Sequence, residues 1–169
     1  MLPLAQVAVG EALAALAPPE TDVAHRWDGA ILINGAVVGT VRGRMPPGTD
    51  GDVPAWLAIG VRLALPPDGV DPGRHPDRST LTDELGPLEA NDLIEAVARH
   101  WTMWLYRWET EGWASVAREW DGRSAPDQRI PTDAGHAMLL GLDEGGNAVV
   151  SSAHGARIVP LSLRWMGPA

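Results

Sequence analysis

All thirteen basic residues of this 169-residue chain are arginine; lysine and cysteine are both absent. The chain therefore has guanidinium groups to hold anions but no side-chain ammonium and no thiol. A disulfide framework, a zinc–thiolate site and a cysteine nucleophile are excluded. Five histidines, His25, His75, His100, His136 and His154, remain as candidate bases or metal ligands. No two stand four apart, the helical spacing that lets paired imidazoles share a metal, and no metal site is expected. Ser151 and Ser152 lie close before His154, in the manner of a nucleophile and its base. The Gly-x-Ser-x-Gly elbow that exposes a serine is missing, so a turn is expected there. Gly145-Gly146 reads as a hairpin, because no helix follows to offer its N-terminus to a phosphate. Asp68, Asp71 and Asp77 stand in a proline-rich stretch and read as solvated.

Around these residues the pattern divides into short elements. Leu4, Val7, Leu13 and Leu16 recur at helical spacing, with alanine between them, until Pro18 and Pro19 stop the helix. Strands are expected over residues 23–27, 30–33 and 36–45, with a tight turn at Asn34-Gly35. Residues 46–54 read as a loop, 55–65 as a central strand, and 66–79 as a second loop. A short helix over 80–85 ends at Gly86. Ile94, Val97, Ala98, Trp101, Trp104, Leu105 and Trp108 mark an amphipathic helix over 89–111, followed by a shorter one over 113–120. Trp101, Trp104 and Trp108 are expected in the core. Trp113 and Trp120 are expected to be partly exposed and are the candidates for a homodimer contact. A hairpin over 136–142 and 148–152 and a strand over 157–161 close the sequence as a small barrel-like appendage. The boundaries are 1–122 for the main domain and 123–169 for the appendage.

Twenty-two acids against thirteen arginines give a formal net charge of −9. Nucleic acid and anionic membranes both call for a dense basic face, and the sequence supplies none, so neither partner is expected. The absence of cysteine fits a reducing cytoplasm and is also compatible with a periplasmic protein. The apolar start lacks a basic residue before Arg26 and is broken by Glu11, which argues against a signal peptide. No stretch reaches the roughly 20 apolar residues of a membrane span.

The order of elements resembles the later part of the biotin/lipoate protein ligases, and local strings carry the likeness. Residues 26–39, Arg-Trp-Asp-Gly-Ala-Ile-Leu-Ile-Asn-Gly-Ala-Val-Val-Gly, stand where the family has a Trp-Pro-Asn-Asp strand, a turn and a Lys-Val-Ala-Gly-like strand. Ala58-Ile59-Gly60-Val61-Arg62-Leu63 is similar to the family's Gly-Ile-Gly-Val-Asn strand, and residues 79–86 to its Thr/Ser/Leu-rich short helix. The likeness is to a bacterial branch apart from the authentic ligases. It implies an α+β fold: a partial mixed sheet with helices on one face, plus a small C-terminal SH3-like β-barrel. It also implies ATP and biotin or lipoate as ligands and a carrier domain as partner.

In the family's reaction a carboxylate attacks the α-phosphate of ATP, and an acceptor lysine then displaces AMP from the acyl-adenylate. Charge builds on phosphoryl and acyl oxygens, so fixed cations must face them. The resemblance puts the family's conserved lysine at Val37, with Arg42 or Arg44 the nearest cations along the strand. Its Pro-Asn-Asp falls on Asp28, Gly29 and Ala30, its adenine-contacting Asn falls on Arg62, and its Gly- and Arg-rich loop falls ahead of residue 1. The expected vestigial ligand site is Trp27, Asp28, Val37, Gly39, Gly60 and Arg62, with no catalytic residue assigned. Gly35 is expected to serve a turn and Gly60 close packing. The function expected is that of a catalytically degenerate ligase-like protein. The alternatives are a non-catalytic interaction module and part of a longer ATP-dependent ligase.

Overall fold

A computed structural model describes residues 1–46, 54–65, 77–153 and 155–160. Helix α1 (Leu2–Leu16) leads into strands β1 (Val23–His25), β2 (Ala30–Ile33), β3 (Ala36–Arg44) and β4 (Ala58–Leu63). Helices α2 (Leu81–Leu85), α3 (Ala90–Glu111) and α4 (Trp113–Gly122) follow, and then strands β5 (Arg129–Thr132), β6 (Gly135–Leu142), β7 (Ala148–Ser152) and β8 (Gly155–Val159). The fold is α+β, with four described helices and two four-stranded sheets ordered β1-β2-β3-β4 and β5-β6-β7-β8.

Three expectations need correction. The first sheet is antiparallel rather than mixed; the only parallel pairings described are isolated bridges, His25 with Ser124 and Val37 with Arg78. The second sheet does not close into a barrel among the described residues, since β5 pairs only with β6 and β8 only with β7. The run read as a central strand contributes only β4, which lies at the sheet's edge with most of its residues exposed. Its length and aliphatic content mimicked a buried strand, and periodicity alone does not separate the two. Strand β5 was missed because Pro131 interrupts a four-residue run. The proline is nevertheless paired opposite His136. The expected loops at 46–54 and 66–79 fall mostly outside the described residues, as does His154.

Helix α1 is buried almost all round from Leu2 to Leu13, so it is an interior helix. Its one acid, Glu11, accepts from Trp104 Nε1 on α3 at 3.3 Å and pairs with Arg123 beyond α4 at 3.6 Å. One face of α1 and the first sheet form a core of Leu2, Val9, Leu13, Ile31, Ile33, Val41, Leu81 and Leu93. A second core joins Leu4, Val7, Trp27, Trp104, Val116 and Trp120 to Ile130, Ala148 and Val150 of the second sheet. The inward face of α3 runs through Leu93, Ala96 and Trp104, with Val97 and Trp101 beside it; Ile94 is 65% exposed and Trp108 37%. Two further expectations are thereby overturned. Trp108 is a surface residue, and Trp120 is fully buried. Trp113 packs on the second sheet, its Nε1 donating to Asp143 O at 2.8 Å. Trp113 is partly exposed, as expected, whereas buried Trp120 has no surface to offer a dimer contact.

Buried polar groups lock the start of the sheet. Gln6 on α1 donates to the carbonyls of Arg26 and Ala30 and accepts from Trp120 Nε1 at 2.9 Å. Gln128 accepts from the Trp27 amide at 2.7 Å and donates to Ser124 Oγ and Ala125 O. His25 Nε2 donates to Trp120 O at 2.8 Å, because a carbonyl can only accept. Burial lowers its pKa to about 4, despite that hydrogen bond, so the ring is neutral near pH 7.

Candidate functional site

The candidate site forms on the sheet face turned away from α1. In an antiparallel pair, directly opposed residues share a face and neighbours alternate. Thr40 opposes Arg62, and Arg42 opposes Gly60. These four therefore lie on one side, while Val41, between Thr40 and Arg42, points into the core and is fully buried. The cleft above that face is about 730 Å³ and is lined by Arg26, Asp28, Val37, Gly39, Gly60 and Arg62, among others. That volume is within the range of small-ligand sites.

Local structure explains each position. Asn34, at φ 51°, and Gly35, at φ 84°, make the two-residue turn that folds β3 onto β2. The register slips between Ile31 and Leu32, and Val38 goes to the core while Val37 lines the cleft. Val37 donates its amide to Asp77 O at 2.8 Å and accepts from Ser79 N at 3.1 Å. Those two bonds bring Asp77, Arg78 and Ser79 to the cleft wall. A Cβ on Gly39 would sit 2.5 Å from Arg62 O and from Leu63 Cδ2, so this glycine is what lets β3 and β4 meet. At Gly60 a Cβ would meet nothing within 4 Å. The expectation that Gly60 serves close packing is therefore corrected: its missing side chain leaves the cleft floor open.

Of the six residues singled out from sequence, Asp28, Val37, Gly39, Gly60 and Arg62 line this cleft. Trp27 does not; it is 1% exposed and packs in the second core, and its Nε1 meets no acceptor among the described residues. Asp28 bonds Arg26 Nη2 at 3.1 Å and accepts from the Ala30 amide, while Arg42 Nη1 donates to Asp28 O at 2.7 Å. Arg42 lines the cleft and Arg44 is not among its lining residues. Sequence reasoning missed Arg78 and took Asp77 for a solvated loop acid. Both enter through a backbone pairing with Val37 that no local pattern announces. Among the described residues no cluster of three or more His, Asp or Glu groups could hold a metal, and no helix is long and apolar enough to cross a membrane.

Comparison with known proteins agrees with this architecture. A curated biotin–[acetyl-CoA-carboxylase] ligase from Paracoccus denitrificans is 24% identical over 97% of this chain and 71% of its own length. A biotin protein ligase-like protein of unknown function from Silicibacter sp. tm1040 superposes with a TM-score of 0.84 at 31% identity, covering 99% of this chain and 73% of that one. A biotin protein ligase from Aquifex aeolicus, solved with biotin and ATP, shares the fold at a TM-score of 0.72 and 18% identity, over 94% of this chain and 67% of its own. The model of the biotin/lipoate A/B protein ligase family matches residues 1–122, and the chain belongs to that family.

Proposed function

We propose that this protein keeps the family's acyl- and nucleotide-binding cleft and has lost the ligation step. One observation carries the reading. Val37, which the sequence resemblance aligns with the family's lysine, lines the cleft with an aliphatic side chain, and no lysine exists elsewhere in the chain to take its place. Arginine does not substitute freely for a compact ammonium, because its charge is spread over a planar fork. The ligands of this reading are biotin or lipoate and ATP, or the adenylate formed from them, held by Asp28, Val37, Gly39, Gly60 and Arg62. Residues 1–122 carry the cleft, and 123–169 form an accessory domain. The setting is the cytoplasm and the partner is a carrier domain. The test is incubation of the purified chain with ATP, biotin or lipoate, and a carrier protein bearing an acceptor lysine. No transfer is expected; ATP-dependent labelling of the carrier would overturn the reading.

A second reading, that these residues are part of a longer ligase, is favoured by the edge of the first sheet. Strand β4 pairs only with β3 among the described residues, and Val61 is 39% exposed. Beside it an apolar groove of about 420 Å³ is lined by Ile59, Val61, Leu63, Ile94, Val97 and Trp101. An open apolar edge is a template for another strand, and the relatives above extend beyond the matched part by more than a quarter of their length. The intact mass of the protein isolated from its source cells decides this. A mass well above 18.0 kDa supports the second reading, and 18.0 kDa contradicts it.

A further inference from the structure

The cleft gathers positive charge on a ligand-sized surface of an acidic chain. Four guanidinium groups line it, those of Arg26, Arg42, Arg62 and Arg78, against the carboxylates of Asp28 and Asp77. The described lining thus holds a surplus of two positive charges in a chain of net charge −9. The arginines are not equivalent. Arg26 is spent on Asp28 at 3.1 Å, and Arg42 is anchored on the Asp28 carbonyl at 2.7 Å. Arg62 and Arg78 are exposed and have no side-chain partner among the described residues. They reach the cleft from different elements: Arg62 from β4, opposite Thr40, and Arg78 from the segment paired with Val37. Two forks without a side-chain partner among the described residues, lining one cleft whose floor is open at Gly60, suit an oxyanion, which accepts charge-assisted and bidentate hydrogen bonds. Apolar side chains at Val37 and Ala64 leave room for an uncharged moiety beside it.

We propose that Arg62 and Arg78 form a paired oxyanion clamp that binds a multiply charged phosphoryl group, doing with two guanidinium groups what no lysine in this chain can do. The inference deepens the cleft-binding reading above and rests on it for the location of the site, while its probe is inorganic. The clamp holds the group in the ground state. It supplies no acceptor and moves no proton.

The experiment is a calorimetric titration of the full chain with pyrophosphate at low ionic strength, repeated with Arg62→Gln, Arg78→Gln and, as a control on the outer face of α3, Arg99→Gln. Unfolding midpoints are recorded for each, and because both clamp residues are exposed the variants are expected to fold as the parent does. Each clamp variant is expected to weaken pyrophosphate binding at least ~10-fold, and the control less than ~2-fold. Binding of the parent should weaken as salt rises. Malonate, a carboxylate dianion, is expected to bind more weakly than pyrophosphate. Equal affinity would overturn the phosphoryl assignment. Absence of pyrophosphate binding, or equal loss in all three variants, would overturn the clamp. A biotinyl-adenylate analogue in the same series separates the two claims. Pyrophosphate binding without analogue binding keeps the clamp and removes the cleft-binding reading; the converse does the opposite.

Discussion

At the scale of single residues, the groups that set the geometry are the buried polar ones behind the cleft. Gln6 answers two carbonyls and one indole N–H at once. Gln6→Ala leaves the buried Trp120 indole N–H without its acceptor, while the Arg26 and Ala30 carbonyls keep their backbone donors; a loss of about 1–3 kcal/mol in urea-unfolding stability is expected, the cost of one unsatisfied buried group. His25 gives stability a pH dependence. Its folded pKa of about 4 lies below the ordinary 6.5, chiefly through burial, with Arg123 lowering it further and the Trp120 carbonyl and Glu119 opposing. In the window between about 4 and 6.5 the unfolded chain takes the proton and the folded chain does not. The contribution of neutral His25 is therefore complete above 6.5 and is lost as pH falls toward 4. Unfolding free energies measured from pH 7 to pH 4.5 should fall by up to about 1.4 kcal/mol per pH unit from this group, and His25→Gln should flatten that slope. An unchanged slope in the variant would show that the carboxylates alone set it. Val37 was found from sequence only through the family likeness, and Arg78 was not found at all. A side chain's place in a cleft depends on the segment its backbone pairs with, and that partner lies about forty residues away in the chain.

At the scale of elements, the close approach of β3 and β4 is set by Gly39. Gly39→Ala puts a methyl 2.5 Å from the Arg62 carbonyl, so the strands must separate. A cost of about 1–3 kcal/mol is expected, with weakened ligand binding because Arg62 moves with β4. Gly60→Ala, which meets no atom within 4 Å, should leave the unfolding midpoint unchanged while partly filling the cleft floor. Equal destabilisation by the two alanines would contradict these assignments. Much at this scale was legible. Strand β2 and the Asn34-Gly35 turn were read to the residue, because turn chemistry is local. The long helix was located to within a residue at its start, and its inward face was read in part, since Val97, Trp101 and Trp104 face the core as expected. The expected stripe included Ile94, Ala98 and Trp108, whereas the buried line runs through Leu93, Ala96 and Trp104. Apolar residues exceed what one face can bury, and only the packing of α1 against α3 decides which are used. The edge position of β4 and the lack of closure of the second sheet among the described residues were likewise illegible, because both depend on which strands find partners.

At the scale of the whole molecule, the two sheets share a core. Trp27, Trp104 and Trp120 pack with Ile130, Ala148 and Val150, and Gln128 holds the Trp27 amide. A chain ended at residue 122 would lose those partners, and its thermal transition is expected to be broad and shifted down by many degrees, as read by circular dichroism. A sharp transition near that of the full chain would show that the second sheet is dispensable. The same continuity links the accessory sheet to the cleft, since Trp27 precedes Asp28 directly. A lysine-free member of the biotin/lipoate ligase family whose cleft still serves as a binding site should take up the family's adenylate. Calorimetric titration of the purified chain with non-hydrolysable biotinyl- and lipoyl-adenylate analogues tests this most directly. Binding of at least one analogue at micromolar strength, about −8 kcal/mol, is predicted. No heat and no thermal shift with either analogue would contradict it and leave the scaffold without the family's ligand.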